Sequence, residues 1–498
     1  PPQAPCRPVS GYANDNCGKH QWRNNGLDKV QKNIAQPRYL RTELRHKMSN
    51  GNAGNNANKY LLCKGKSHRD GVSVACDSTK YSFHAVNLLE MLNLSRLSSE
   101  FLAFLQLRLF VAMGWHMQAL VVSWYVYALT HDPLMLAFVG LAEAIPAIGL
   151  ALPSGYFVDK MDKRSGIRIA VSLIIASAAV SAVMVQPWAA EQFGTWVVIA
   201  VLLAMVMING SARALYSPSM FSTLGQIVPR EDVARASALS STVWQTAMIA
   251  GPLVGGIVYG AYGPRTAGIL YVALMVVGGV GALRLTPKPP IEQTERRSMR
   301  EDLTIGIRFI FSRPIILGAL SLDLFAVLFG GVVALLPVFA HDVLHVDESG
   351  LGLLRSAMSI GSVVMMAYLS WKPVKRNAGK ILLVSVACFG MCILGFASST
   401  LFWLSVALLV LAGAFDAVSV VVRHTILQLS TPEEMKGRVA AANTMFISSS
   451  NELGAVESGV AARLFGTVPS VYIGGLLTLV VVALVAWKNK PLRDMEMG

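Results

Sequence analysis

The stretch VPREDVARASALSSTVWQTAMIAGPLVGG at positions 228–256 has a second version, TPEEMKGRVAAANTMFISSSNELGAVESG, at 431–459. Setting Pro229 against Pro432 also sets Glu231 against Glu434, Arg235 against Arg438, Gly251 against Gly454 and Gly256 against Gly459. Five matches at one offset mark an internal repeat. A similar shift sets GLAEA, with Glu143, against GLLRS, with Arg355. The chain therefore reads as two copies of one unit.

Composition says what that unit is. Of 498 residues, 53% are hydrophobic and only 14% charged, with a mean hydropathy of +0.50. That is too apolar for a soluble protein of this length. The apolar residues fall into about twelve blocks, each long enough for the roughly 20-residue helix that crosses a bilayer. Residues 169–190 and 192–212 hold no charge at all, whereas a core helix of a soluble protein keeps a polar face. Every second connection is cationic, as with Lys160, Lys163, Arg164 and Arg168, and later Lys372, Lys375, Arg376 and Lys380. The intervening connections, THDP and FASST among them, are nearly free of cations. The positive-inside rule then places both termini in the cytoplasm, in keeping with an even number of spans.

The expected fold is an all-α membrane protein of twelve transmembrane helices in two six-helix pseudo-repeats, 92–285 and 314–487. A cytoplasmic linker, 286–313, joins them, its latter part an amphipathic helix on the membrane surface. Residues 488–498 form a cytoplasmic tail. Residues 1–91 stand apart: up to Glu100 the chain carries 15 Lys or Arg against 7 Asp or Glu, more than half of the net charge of +14. The basic balance is thus no sign of nucleic-acid binding by the membrane body. Cys6, Cys17, Cys63 and Cys76 have no metal-ligand spacing, and no metal or cofactor is expected. Met91 reads as a natural start, and the segment before it as a disordered extension or as sequence outside the working protein.

Between the second and third blocks, SGYFVDKMDKR (154–164) crowds charges into a short turn. Its Gly155, Asp159, Lys160, Lys163 and Arg164 resemble a signature of the major facilitator superfamily. The resemblance implies that Gly155, Asp159, Lys163 and Arg164 form a latch that holds one conformational state. The loop of the second half, WKPVKRNAGK, keeps the cations and lacks the aspartate, so the latch is expected to be one-sided. AGPLVGG (250–256), with Gly251, Pro252, Gly255 and Gly256, looks like the family's antiporter motif, and a generic small-residue packing face is its structural alternative. Further stretches, LDLFAVLFGG and SSSNELGAVESG, look like the exporter branch that includes enterobactin and macrolide efflux proteins. One departure is that no fourth-span arginine with flanking glycines is evident; Arg213 reads as lying near the cytoplasmic end of its span, so no coupling role is carried to it.

Charges inside a membrane usually face a cavity or a partner, because each costs from about 3 kcal/mol upward at the bilayer centre. Glu143, Asp323, Arg355, Asp416, Glu452 and Glu457 fall within spans. Glu143 and Arg355 occupy equivalent repeat positions and are expected to face each other across a central cavity, with Asp323 and Asp416 flanking it. The alternative for each acid is a static interhelical pair. His116 is a candidate for substrate binding or proton relay, or a hydrogen-bonded core residue; Trp115, Trp124, Tyr127 and Trp244 are candidate pocket aromatics or packing anchors. No phosphate-binding G-K-[ST] loop and no nucleophile–base grouping stands out, so the chain does not read as an enzyme. The expectation is a monomeric inner-membrane secondary transporter that exports a small organic molecule in exchange for protons. A lysophospholipid flippase and a non-transporting sensor or scaffold are the rivals.

Overall fold

The computed structural model describes residues 98–150, 162–229, 232–287, 299–372, 374, 376–432 and 435–496, all within the unit His84–Gly498, with the side chains at 234, 299–303, 441, 448 and 452 left aside. The expected extension 1–91 and two of the four expected latch residues, Gly155 and Asp159, lie outside these residues.

Among the described residues twelve helices follow the order of the expected crossings: α1 (Ser99–Thr130), α2 (Pro133–Gly149), α3 (Lys163–Met184), α4 (Thr195–Ile227), α5 (233–262) and α6 (264–283), then α7 (Pro314–Phe329), α8 (Glu348–Trp371), α9 (Ala378–Ser398), α10 (Phe402–Ser430), α11 (Lys436–Phe465) and α12 (Thr467–Lys488). Among the described residues, nine helices are long and apolar enough to cross a membrane. One of them contains both α5 and α6, while α2 is short. Helix α11 falls outside that set because Ser450, Asn451 and Glu457 make it polar; it is sheltered by α2, α7 and α12.

Local chemistry sets the turns. Ser98 Oγ accepts from the Phe101 N–H at 3.1 Å to start α1, and His131 ends it in the left-handed region at φ 47°. Asp132 then caps α2 through the Leu134 N–H at 2.9 Å, with Pro133 as the first helical residue. Gly263, at φ 78°, and Pro264 divide α5 from α6, a backbone turn that side chains other than glycine rarely tolerate. Helix α7 breaks at Gly330 and continues as a short 3₁₀ turn, Val332–Leu335, and a π turn, Phe339–Val343.

The repeat seen in the sequence is also a repeat of contacts. Helix α5 packs on α8, and its counterpart α11 packs on α2. A methyl group added at Gly352 would lie 2.6 Å from the Pro252 carbonyl oxygen, and one at Gly140 would lie 3.1 Å from Ala455 Cβ, the repeat equivalent of Pro252. Likewise Gly251 packs against Met113 and His116 of α1, and Gly454 against Val327 and Leu328 of α7. The glycines thus permit the close helix approach that a membrane bundle needs.

One end of the bundle, which we call the cation-poor end, is closed between the halves. Arg463 pairs with Asp132 at 3.3 Å, Tyr127 donates a hydrogen bond to Asp342, and the α5–α8 and α2–α11 glycine contacts lie on the same side. Trp196 and Trp403, near the starts of α4 and α10, are exposed at that end, and Trp371 and Trp487, near the ends of α8 and α12, at the opposite one. The linker helix Met299–Ser312 is amphipathic and packs on α11, with Ile310 buried beside Ile316, Leu427 and Val439.

Candidate functional site

A cavity of about 400 Å³ opens between the two halves beneath the closed end. From the first half α1 supplies Trp115, Gln118 and Ser123, α2 supplies Glu143, and α4 supplies Asn209. From the second half come Arg355 of α8, Phe389 of α9, Asp416 of α10 and Asn451 of α11. Gly330 and Gly331, where α7 breaks, also line it. Non-helical backbone at membrane depth is tolerated where it borders such a space or is buried in protein.

The walls differ in charge. On the first half Glu143 Oε1 accepts from Arg213 at 3.1 Å, and the Arg213 guanidinium stands 5.2 Å over the Trp115 ring. Behind them runs a buried amide–hydroxyl network across α1, α3 and α4. Asn209 Nδ2 donates to Gln118 Oε1 at 3.2 Å, Gln118 Nε2 to Ser181 Oγ at 3.1 Å, and Ser177 Oγ to Asn209 Oδ1 at 2.5 Å. Closing three helices with satisfied polar groups fixes that wall. On the second half, Arg355 has one hydrogen bond among the described residues, a long 3.4 Å contact from a terminal nitrogen to Ser123 Oγ, and its Nε is buried without an acceptor there. Asp416 makes no hydrogen bond or ion pair with any described residue.

Several expected placements change. Glu143 and Arg355 do share the cavity, but Glu143 is paired with Arg213, not with Arg355. Arg213 is followed by a further stretch of α4 that runs on to Ile227. Asp323 does not line the cavity: it is buried between α7 and α10 as the ion-pair partner of Arg423. His116 does not line it either, since its ring packs 6.1 Å from Trp115 and 5.7 Å from Trp244. Among the aromatics, Trp115 faces the cavity, Trp244 stands behind it, and Trp124 and Tyr127 pack against His341 at the closed end.

The motif of Gly251, Pro252, Gly255 and Gly256 sits where α5 meets α1 and α8. Gly251 and Gly255 face α1 within the first half, whereas Pro252 and Gly256 meet Gly352 of α8 across the seam between the halves, and none of the four lines the cavity. Of the expected latch, Gly155 and Asp159 lie outside the described residues. Lys163 is buried at the start of α3, and Asp162 beside it accepts from Ser165 Oγ at 3.4 Å. The sequence reading missed the Gln118–Asn209 network and the role of Arg213; an arginine and an asparagine inside the same long apolar helix were the available signal.

The Major Facilitator Superfamily model matches residues 105–455, most of the chain. The chain belongs to the Major Facilitator Superfamily. As a member of this superfamily it is a multi-pass membrane protein and a secondary transporter of small molecules rather than an enzyme. It is similar to the enterobactin exporter EntS of Citrobacter koseri, 26% identical over 292 residues that cover 57% of this chain and 68% of that protein. EntS of Shigella boydii serotype 18 is 25% identical over 307 residues, covering 58% and 72%. Among solved structures, the fold is similar to a D-xylose-proton symporter, with a TM-score of 0.61 at 14% identity over 80% of this chain and 99% of that one. A bacterial homologue of the iron transporter ferroportin gives the same TM-score, identity and coverage.

Proposed function

We propose that this protein is a proton-coupled exporter of a small organic molecule, working by alternating access as a monomer in the inner membrane with both termini in the cytoplasm. The observation that carries the reading is a cavity between two pseudo-symmetric halves, closed at the cation-poor end, whose lining includes Arg355 and Asp416, neither with an ion-pair partner among the described residues. With the cationic connections on the cytoplasmic side, the closed end faces outward and the cavity is offered to the cell interior, the state in which an exporter loads its cargo. The similarity to EntS supports the direction and a siderophore- or drug-like cargo. Symmetry supports the cycle: the two seams, α5–α8 and α2–α11, exchange under the repeat, so the halves can rock about the site.

In this reading the Glu143–Arg213 pair and Asp416 are the groups through which protons and cargo communicate, and Arg355 binds cargo. Gly155, Asp159, Lys163 and Arg164 latch the cytoplasmic side in the opposite state. The test is proton movement in energised inverted membrane vesicles, followed with a pH-sensitive dye. Siderophores, macrolides, lipophilic cations and lysolipids are added in turn to wild type and to Glu143→Gln. Proton release on addition of one compound, absent in the variant, is the expected result. Silence from every compound with folded protein in the membrane removes the antiport reading, and movement of lysolipid without proton release replaces it with a flippase.

A further inference from the structure

Resting on the reading of this cavity as the cargo site, we infer that its ligand is dipolar: an organic molecule with an anionic group and a cationic group roughly 10–15 Å apart along an aromatic or apolar body. The inference starts from which charges are already answered. Glu143 is taken by Arg213, and Asp323 by Arg423, so those four groups offer a ligand little net charge. Arg355 and Asp416 are left.

Arg355 has five N–H donors and spends one of them on a 3.4 Å contact with Ser123. The Ser123 hydroxyl gives its own proton to the Ala119 carbonyl at 2.6 Å. Among the described residues no carboxylate lies within ion-pair distance of Arg355, Glu143 acting on it only from farther across the cavity, and its Nε is buried with no acceptor. A cation held this way between helices lacks the acceptors that water would supply. A planar two-oxygen anion such as a carboxylate fits the guanidinium fork side by side. Asp416 presents the converse need, an acceptor with no donor.

The two cannot answer each other. Helices α8 and α10 run in the same direction and touch where Ser362 Oγ donates to the Gly413 carbonyl at 2.9 Å. Arg355 lies two turns before that contact and Asp416 one turn after it, so at 1.5 Å per residue their backbone positions differ by roughly 15 Å along the bundle, a separation that the reach of the arginine side chain can shorten. Arg355 is the charge nearer the closed end, and Asp416 the one nearer the open end. Most of the remaining lining is apolar, from Leu136, Val139, Val327, Met358 and Phe389 with the Trp115 ring, beside the neutral amides of Gln118, Asn209 and Asn451. A ligand with one charge leaves the other group bare in a low-dielectric space; a dipolar one of this length satisfies both.

The test is equilibrium binding to the whole protein in lipid nanodiscs, by titration calorimetry. The probes are 4-(4-aminobutyl)benzoic acid, its methyl ester, which keeps only the ammonium, and 4-pentylbenzoic acid, which keeps only the carboxylate. The dipolar probe is expected to bind roughly tenfold or more tightly than either relative. Arg355→Gln should make it equal to the methyl ester, and Asp416→Asn equal to pentylbenzoate. Equal affinities for all three in wild type, or no binding of the dipolar probe at millimolar concentration, overturns the inference without recourse to any variant. Vesicle uptake separates the two claims: a dipolar probe that binds but is not moved counts against export alone, and flat affinities beside export of another compound count against this inference alone.

Discussion

Substitution of Gly352 by alanine should bias the protein away from the closed arrangement at its cation-poor end. The added methyl carbon would stand 2.6 Å from the Pro252 carbonyl oxygen and 3.1 Å from the Gly256 Cα, where ordinary contact begins near 3.4 Å. Both obstacles are backbone of α5, so no rotamer change relieves them, and the helices must part. Overpacking of this kind costs about 1–3 kcal/mol. The cost falls on the conformer in which α5 and α8 touch, so the closed-to-open ratio should drop by about 5- to 150-fold. Spin labels at Phe193→Cys and Leu401→Cys, exposed positions in opposite halves at that end, report the change by double electron–electron resonance in a background without other cysteines. A longer distance population should appear in Gly352→Ala. The repeat-equivalent Gly140→Ala meets only the Ala455 methyl group at 3.1 Å and should shift less. An unchanged distribution in a folded Gly352→Ala protein, or a larger shift from Gly140→Ala, would refute the seam argument.

The remaining expectations separate structural charges from working ones. Asp323→Ala strands a buried Arg423 and should cost about 3–5 kcal/mol, whereas Asp323→Leu combined with Arg423→Met should recover most of it; thermal unfolding in detergent measures both, and a neutral single variant defeats the static-pair reading. Arg213→Gln breaks a pair that is partly open to the cavity, so its stability should change by no more than about 1 kcal/mol. Its vesicle transport should nonetheless fall sharply, and retained transport would detach the pair from the cycle. His116→Phe keeps the ring packing with Trp115 and Trp244 and should transport like wild type. Loss of flux from a folded His116→Phe protein would return His116 to the transport path.

The sequence by itself determined the membrane class, the family and the doubling. Apolar blocks and cation-rich connections follow from the cost of placing charge in hydrocarbon, a property of each segment taken alone. Gly251, Gly256, Gly454 and Gly459 were legible as a repeat because both copies meet the same steric demand where helices press together. Which charge meets which was not legible. Glu143 and Arg355 match as repeat equivalents, yet equivalence under a two-fold axis says nothing of hydrogen-bonding distance, and it is the path of α4 that brings Arg213 to Glu143. Asp323 and Asp416 look alike as acids in apolar helices. Only the packing of α7 on α10 gives the first a buried arginine and leaves the second facing an open space, because side-chain partners are chosen by helix rotation and crossing, which no single helix encodes.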